Sequence, residues 1–283
     1  MDDPSYSASI YAALLARHVA ALDARALAVA MNQTFAASEL IFSRVEAPDG
    51  VVLDAGELHV ILSSEAGPLP SCRTAAALTS RLPHVIGEPW ADWAAAEGVA
   101  LTIRVVGGPY GALPHLPSAD AFDTMLSVLH VCTGWLLASS TEAEAVFWSQ
   151  SNQFFSASRF LCAVDMLYPL PVYLHPRPLA PEAEGPPDQV GFDLEGAAQI
   201  CGHAIRFEPS PAPLAWMAER AYALVTHLRC GNDAPPVFGV SNGERIEVAR
   251  QANGTLNLSL TLRDGGPVVP PSGIIPLPSG KAA

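Results

Sequence analysis

Apolar residues in the first quarter of the chain recur at two different spacings. Over residues 9–31 they return at near-helical intervals, which predicts an Ala- and Leu-rich helix. Between residues 57 and 63 they alternate, with Leu58, Val60 and Leu62 on one side, as in a β-strand with one buried face. A shorter apolar segment at residues 40–45 is a further candidate strand.

The middle of the chain alternates between predicted strands and helices. Strands are predicted at residues 99–106 and 143–148, and a long helix at residues 120–138 begins after Ser118, a good N-cap residue. Helices are also predicted at residues 71–82, 90–97 and 154–167.

The last third combines one helix with several strands. Strands are predicted at residues 189–194 and 198–207, a helix at residues 213–229, and a β-meander at residues 237–240, 245–249 and 255–262. Asn242 and Gly243 are typical of a hairpin turn because both tolerate positive φ. The pattern therefore predicts an α+β fold, with helices packed on a mainly antiparallel or mixed sheet and a hairpin-rich C-terminal part. Whether the two halves share one sheet stays open.

A proline-rich, acidic stretch at residues 177–188 predicts a linker, because such residues cannot build a core. The predicted organisation is an N-terminal α+β domain at residues 1–176 and a C-terminal α+β domain at residues 189–264. A flexible Pro- and Gly-rich tail at residues 265–283 follows, and a polyproline II ligand is a second interpretation of its prolines.

The charge of the chain limits which partners are expected, and its cysteines indicate the cellular compartment. The net charge is −13, and 14 scattered arginines with the single Lys281 make no basic stripe, which argues against nucleic acid and anionic membrane surfaces. Charged residues interrupt the apolar stretch at residues 10–31, and no basic residue precedes it, so neither a membrane span nor a signal peptide is expected. Five cysteines without a C-x-x-C pair predict free, mostly buried thiols. A cytoplasmic location is expected.

Three segments resemble catalytic or ligand-binding signatures, but the residues around them do not fit those signatures. Residues 239–243 fit G-x-S-x-G, but a strand is predicted after Ser241 and the last histidine, His227, precedes it, so a hairpin turn is the better interpretation. The glycines of residues 107–111 do not lead directly into a helix, as a phosphate-binding loop would. Cys201 and His203 lack a second ligand pair. No catalytic residue, metal or cofactor is predicted.

One polar segment follows the strand at residues 143–148 and is the candidate ligand-binding site. Hydrogen-bonding side chains gather there beside an aromatic residue, at a strand end before a predicted helix, where α/β-type folds place ligands. The candidate binding residues are Trp148, Ser149, Asn152, Gln153 and Arg159. The alternative is structural: Ser151 or Asn152 caps the helix and the tryptophan is buried.

The last third of the chain carries a pattern in three parts: Ile205-Arg-Phe-Glu-Pro209, the helix that follows, and residues 231–239 leading to Glu244-Arg-Ile-Glu-Val248. This pattern resembles the uncharacterised bacterial family known as domain of unknown function 4261. The strand Ala145-Val-Phe-Trp148 is similar to a segment often found upstream in that family, whereas Ala234-Pro-Pro236 departs from the small polar turn expected there. The resemblance implies a bacterial α+β protein and no particular activity.

The sequence favours a bacterial, cytoplasmic and non-enzymatic protein that acts through protein–protein contacts, as an adaptor or inhibitor or by self-association as a homodimer. The high apolar fraction, 50% of residues, would place part of that surface at an interface. The alternative is a small-molecule-binding protein or enzyme with a pocket near residues 148–153.

Overall fold

The computed structural model describes residues 6–16, 22–47, 50–66, 99–140, 142–179, 189–238 and 244–262. Within these ranges the chain has the α+β fold that the sequence predicts, and its strands form two separate sheets.

The first sheet has seven strands in the described residues, and all neighbouring strands are antiparallel. Its spatial order is β2-β3-β4-β5-β1-β6-β7. The strands are β1 (Ser9–Ala16), β2 (Ser43–Ala47), β3 (Gly50–Asp54), β4 (Leu58–Ala66), β5 (Val99–Gly107), β6 (Ala143–Trp148) and β7 (Gln153–Ser156). The predicted strands at residues 57–63, 99–106 and 143–148 are confirmed.

The helix predicted for residues 9–31 is wrong in its first half. Residues 9–16 form β1, an interior strand between β5 and β6. Ile10, Ala12 and Leu14 are buried on one face, and Ala13 is buried on the other. A strand buried on both faces loses its alternating polar pattern, so its apolar run is easily taken for a helix. The helix itself, α1 (Ala24–Thr34), begins after Asp23, which accepts hydrogen bonds from the backbone N–H groups of Arg25 and Ala26.

The long helix α2 (Ala119–Ser139) confirms its prediction, and the Ser118 hydroxyl accepts a hydrogen bond from the Ala121 N–H group at 3.3 Å. It packs on β5 and β1 and touches α1. By length and apolarity alone this helix could cross a membrane, but 61% of its most apolar window is buried inside the fold. Core helices commonly have this composition, so the finding is weak evidence for a membrane span.

The predicted helix at residues 154–167 starts too early. Residues 153–156 form β7, which pairs with β6, and only α3 (Ala157–Leu161) follows. Phe154 packs against Phe147 on one face of the sheet, while Phe155 contacts Phe160 in the main core. The two phenylalanines therefore point to opposite faces of a strand. A short helix α4 (Leu170–Tyr173) leads to the second sheet.

The second sheet has the order β11-β12-β13-β10-β9-β8, with β10 and β13 parallel and the other pairs antiparallel. Its strands are β8 (His175–Pro178), β9 (Val190–Glu195), β10 (Ile205–Ser210), β11 (Val237–Phe238), β12 (Glu244–Arg250) and β13 (Leu256–Leu262). The helix α6 (Leu214–Arg229) packs on it, as predicted. The meander is confirmed for the described residues. The single strand predicted at residues 198–207 is instead a short helix α5 (Ala197–Cys201) followed by β10, with Gly202 at φ 75° between them.

One connected group of buried apolar side chains extends from the first sheet to the second, through Leu126, Tyr173, Ile200 and Leu224 among others. The strand β8 includes Arg177 and Pro178 and pairs with β9, so these two positions of the predicted linker belong to a sheet. The division into two domains otherwise stays a prediction.

Several predicted features lie outside the described residues: the helices at residues 71–82 and 90–97, the turn at Asn242 and Gly243, and the tail at residues 265–283.

Candidate functional site: a polar turn and the cleft beside it

The polar segment predicted as a ligand site is the turn between β6 and β7. Asn152 has φ 50°, one of two positive values among the described non-glycine residues, and this reverses the chain between Trp148 and Gln153. The Ser149 N–H group donates to the Tyr11 carbonyl oxygen, and the Ser149 hydroxyl accepts from the Tyr11 N–H group, both at 3.0 Å. Ser149 therefore extends the pairing of β6 with β1, and its polar groups are directed to the sheet.

Trp148 lies in the core. Its ring stacks on Tyr173 at 5.8 Å and packs against Phe160 and His130. The indole N–H group of Trp148 has no hydrogen-bond partner among the described residues. Burial lowers the pKa of His130, so its ring is neutral in this aromatic surrounding. Trp148 is thus the buried tryptophan of the structural alternative.

The other half of that alternative is wrong, because neither Ser151 nor Asn152 caps a helix. The helix α3 begins at Ala157, after Ser156. The buried Ser151 hydroxyl donates instead to the Val172 carbonyl oxygen at 2.7 Å. The buried Gln153 amide donates to the Ser151 hydroxyl oxygen at 2.9 Å and to the Leu174 carbonyl oxygen at 3.1 Å. These bonds fasten the turn to the chain that enters β8.

His175, which sequence reasoning did not select, joins this buried network. Its Nδ1 lies 3.1 Å from the Ser151 carbonyl oxygen, which requires a proton on Nδ1 for a hydrogen bond. Burial lowers the pKa of His175 to about 4, so the ring is neutral at pH 7. Its contact with Glu195, 3.8 Å from Nδ1 to Oε2, is therefore not an ion pair at that pH.

Asn152 and Gln150 carry the network to the second sheet. The Asn152 side chain acts on the Glu195 carboxyl group and lowers its pKa, and the Gln150 amide donates to the Gln199 oxygen at 3.3 Å. Gly196 closes the contact: a Cβ atom there would lie 2.4 Å from the Tyr173 carbonyl oxygen and 2.7 Å from Gln150 Nε2. Only a glycine with φ 88° fits this position.

Arg159 is not part of this cluster. It is exposed on α3, and its charge acts on the Tyr222 hydroxyl group. The structure thus brings Asn152 and Gln153 together, places Ser149 against β1, and separates Trp148 and Arg159 from them.

An open cleft of about 590 Å³ lies on the second sheet, and Glu195 is one of its lining residues. Its charged walls come from neighbouring strands. Arg206 on β10 holds Asp193 on β9 with two hydrogen bonds, 2.7 Å from Nε and 3.1 Å from one Nη atom. Arg177 on β8 contacts Glu195 at 2.9 Å and Asp193 at 3.9 Å. The rest of the lining is mostly uncharged and includes Gln251, Asn253, Thr255 and Asn257.

Glu195 links the cleft to the buried network. Burial raises the pKa of its carboxyl group, while the charge of Arg177 and the side chain of Asn152 oppose that shift. Glu195 therefore contacts Arg177 on one side and adjoins the network of Asn152, His175, Ser151 and Gln153 on the other. The buried hydrogen bonds of Ser151, Gln153 and His175 hold this part of the turn in one arrangement, next to this wall of the cleft.

Sequence reasoning missed the cleft for identifiable reasons. Arg177 lies in the predicted linker, and Asp193 and Arg206 are single polar positions of two alternating strands. Their proximity depends on the register of β9 with β10, in which Asp193 lies opposite Arg206. The alternation itself was a signal that these side chains share one face, but the order of the strands was not readable.

The predictions about metal ligands and cysteines can be compared with the described residues. No group of three or more potential metal ligands occurs among the described residues. The four described cysteines are free: Cys132 is buried, Cys201 is half-buried, and Cys162 and Cys230 are exposed. They are thus free thiols, as expected, but mostly not buried. Ser241 lies outside the described residues.

No family model, curated protein or solved structure matches the chain. The resemblance to domain of unknown function 4261 therefore stays a prediction.

Proposed function

We propose that this protein binds a small polar molecule with an anionic group in the cleft between β8, β9, β10 and the turn after β12. The observation that carries the proposal is the pair Arg177 and Arg206 on a cleft wall that adjoins a buried polar network. A volume of about 590 Å³ is within the usual range for small-molecule sites.

The balance of hydrogen-bonding groups supports an acceptor-rich ligand. Each guanidinium group carries five N–H donors, more than the salt bridges with Asp193 and Glu195 use. The side-chain amides of Gln251 and Asn253 add further donors. Carboxylate and phosphate groups match a guanidinium in geometry and charge.

The same pairing supports binding over catalysis at this cleft. Asp193 and Glu195, its two carboxylates, both contact arginine, and a neighbouring guanidinium group stabilises the charged carboxylate and so weakens it as a general base. The protein is accordingly proposed to be non-enzymatic and to act in the cytoplasm. A partner protein would bind at a different surface, the loop between β5 and α2.

The test is ligand-dependent stabilisation of the full-length protein. Inorganic phosphate, succinate and glucose are each added while thermal unfolding is followed by circular dichroism. Phosphate or succinate is expected to raise the free energy of unfolding by about 1.4 kcal/mol at ten times its Kd, and glucose is expected to have no effect. Arg206→Ala should abolish the stabilisation because it removes donors from the cleft wall.

The matched control is Arg245→Ala. Arg245 lies on β12 of the same sheet, is exposed and pairs with Glu247, but does not line the cleft. This variant should respond to the anions like the wild type. Equal responses of both variants, or equal responses to all three probes, would refute the proposal.

A further inference from the structure

The loop between β5 and α2 exposes two leucine side chains to solvent. Leu113 is 85% exposed and Leu116 is 78% exposed, and both precede prolines in the segment Leu113-Pro-His-Leu-Pro117. A residue before proline is restricted to extended conformations, and proline itself has φ near −65°. All described non-glycine residues of this loop have negative φ. These restrictions favour a polyproline II segment.

Hydrogen bonds hold the loop at its base. The His115 N–H group donates to the Gly107 carbonyl oxygen at 3.1 Å, and the Ala112 N–H group donates to the Pro109 carbonyl oxygen at 3.2 Å. Buried His59 bonds to the Gly108 carbonyl oxygen at 2.7 Å. The Tyr110 N–H group donates to Asp54 Oδ1 at 3.2 Å.

The three-residue period of polyproline II explains which positions face outwards. His115 and Ser118 are three apart, and both are bonded to the flanking elements: His115 by its N–H group to Gly107 at the end of β5, and Ser118 as the cap of α2. Leu113 and Leu116 then share a second face, about 9 Å apart along the axis. Pro114 and Pro117 share the third face. The loop therefore presents an exposed x-Pro-x-x-Pro sequence whose prolines restrict it to extended conformations.

We infer that this loop is a docking segment for a partner protein with an aromatic-lined groove of the kind that recognises P-x-x-P sequences. Such grooves accept paired apolar-proline units on two faces of a polyproline II helix. A segment restricted in this way loses little conformational entropy on binding. Asp120, exposed beside the segment, and the net charge of −13 favour a basic rim around the partner's groove. The inference is independent of the cleft on the second sheet.

The experiment measures binding of the full-length chain to three immobilised domains that contain such grooves: an SH3, a WW and an EVH1 domain. At least one is expected to bind the wild type with a Kd below about 1 mM. Leu113→Ser/Leu116→Ser and Pro114→Ala/Pro117→Ala should each weaken that binding at least tenfold. Circular dichroism checks that these variants, which change surface positions, remain folded.

Two control variants distinguish this loop from other apolar and proline-containing segments of the chain. Leu167→Ser removes another leucine, 98% exposed, from a different turn and should leave binding unchanged. Pro267→Ala/Pro270→Ala removes the P-x-x-P sequence of residues 267–270 and should also have no effect. The inference is overturned if no groove binds the wild type, if the loop variants bind normally, or if only the change at residues 267 and 270 abolishes binding.

Discussion

At the residue scale, His175 makes stability depend on pH. Its pKa is about 4 in the folded protein and near 6.5 in the unfolded chain, so the unfolded state binds its proton first as pH falls. The contribution is complete above pH 6.5, is lost between pH 6.5 and 4, and amounts to about 3 kcal/mol at most. The raised pKa of Glu195, which faces the ring, has the opposite sign and reduces the total loss.

The variant His175→Asn isolates this contribution, because its amide can still donate to the Ser151 carbonyl oxygen but does not titrate. Urea denaturation at pH 7, 6, 5 and 4 should show that the wild type loses more stability than the variant over this range. Parallel pH curves for the two proteins would exclude His175 as the source.

The candidate residues differ in how far sequence could locate them. A cluster of polar residues after β6 was readable, and Asn152 and Gln153 do engage polar partners. Trp148 could not be assigned from sequence, because an aromatic residue at a strand end serves equally well in a core or a pocket. His175 and Glu195 come from a second sheet whose position beside the turn depends on tertiary packing.

At the element scale, predictions succeeded where the sequence carries a clear cap or breaker and failed at several short elements and at β1. The helix α2 begins after its cap, Ser118, and the strand β5 ends at the glycine-rich residues 107–111, although β5 is buried on both faces. The strand β1 is buried on both faces and resembles a helix in sequence. The strand β8 contains two prolines, which an edge strand tolerates but which are also typical of a linker.

Gly134 sets how closely α2 approaches the turn after α3. A Cβ atom at this position would lie 2.7 Å from one methyl group of Val164 and 3.2 Å from the other. Gly134→Ala should therefore destabilise the protein by about 1 to 2 kcal/mol, although alanine is the better helix former by about 1 kcal/mol. Denaturation of Gly134→Ala, Val164→Ala and the double variant should give a favourable coupling energy, since the second change removes the clash. Strict additivity would show that this contact does not limit the approach.

At the scale of the whole molecule, contacts between the two halves are both apolar and charged. Asp123 on α2 accepts a hydrogen bond from the Tyr168 hydroxyl at 2.8 Å and pairs with Arg229 at the end of α6. The Arg229 guanidinium lies 3.5 Å above the Tyr168 ring. The Tyr222 hydroxyl on α6 donates to the Leu174 carbonyl oxygen just before β8. These links join α2 and α6, which lie against different sheets.

A continuous core joined in this way should unfold as one unit, even though the linker-like composition of residues 177–188 predicts two domains. Native-state hydrogen exchange, read by mass spectrometry at increasing urea, follows both sheets in one sample. Peptides from β5 and β10 are expected to lose protection at the same urea concentration, and Asp123→Ala should shift both midpoints together. If the second sheet instead opens at a lower urea concentration while β5 stays protected, the halves are independent domains, and the contacts of Asp123, Tyr168 and Arg229 form only an interface between them.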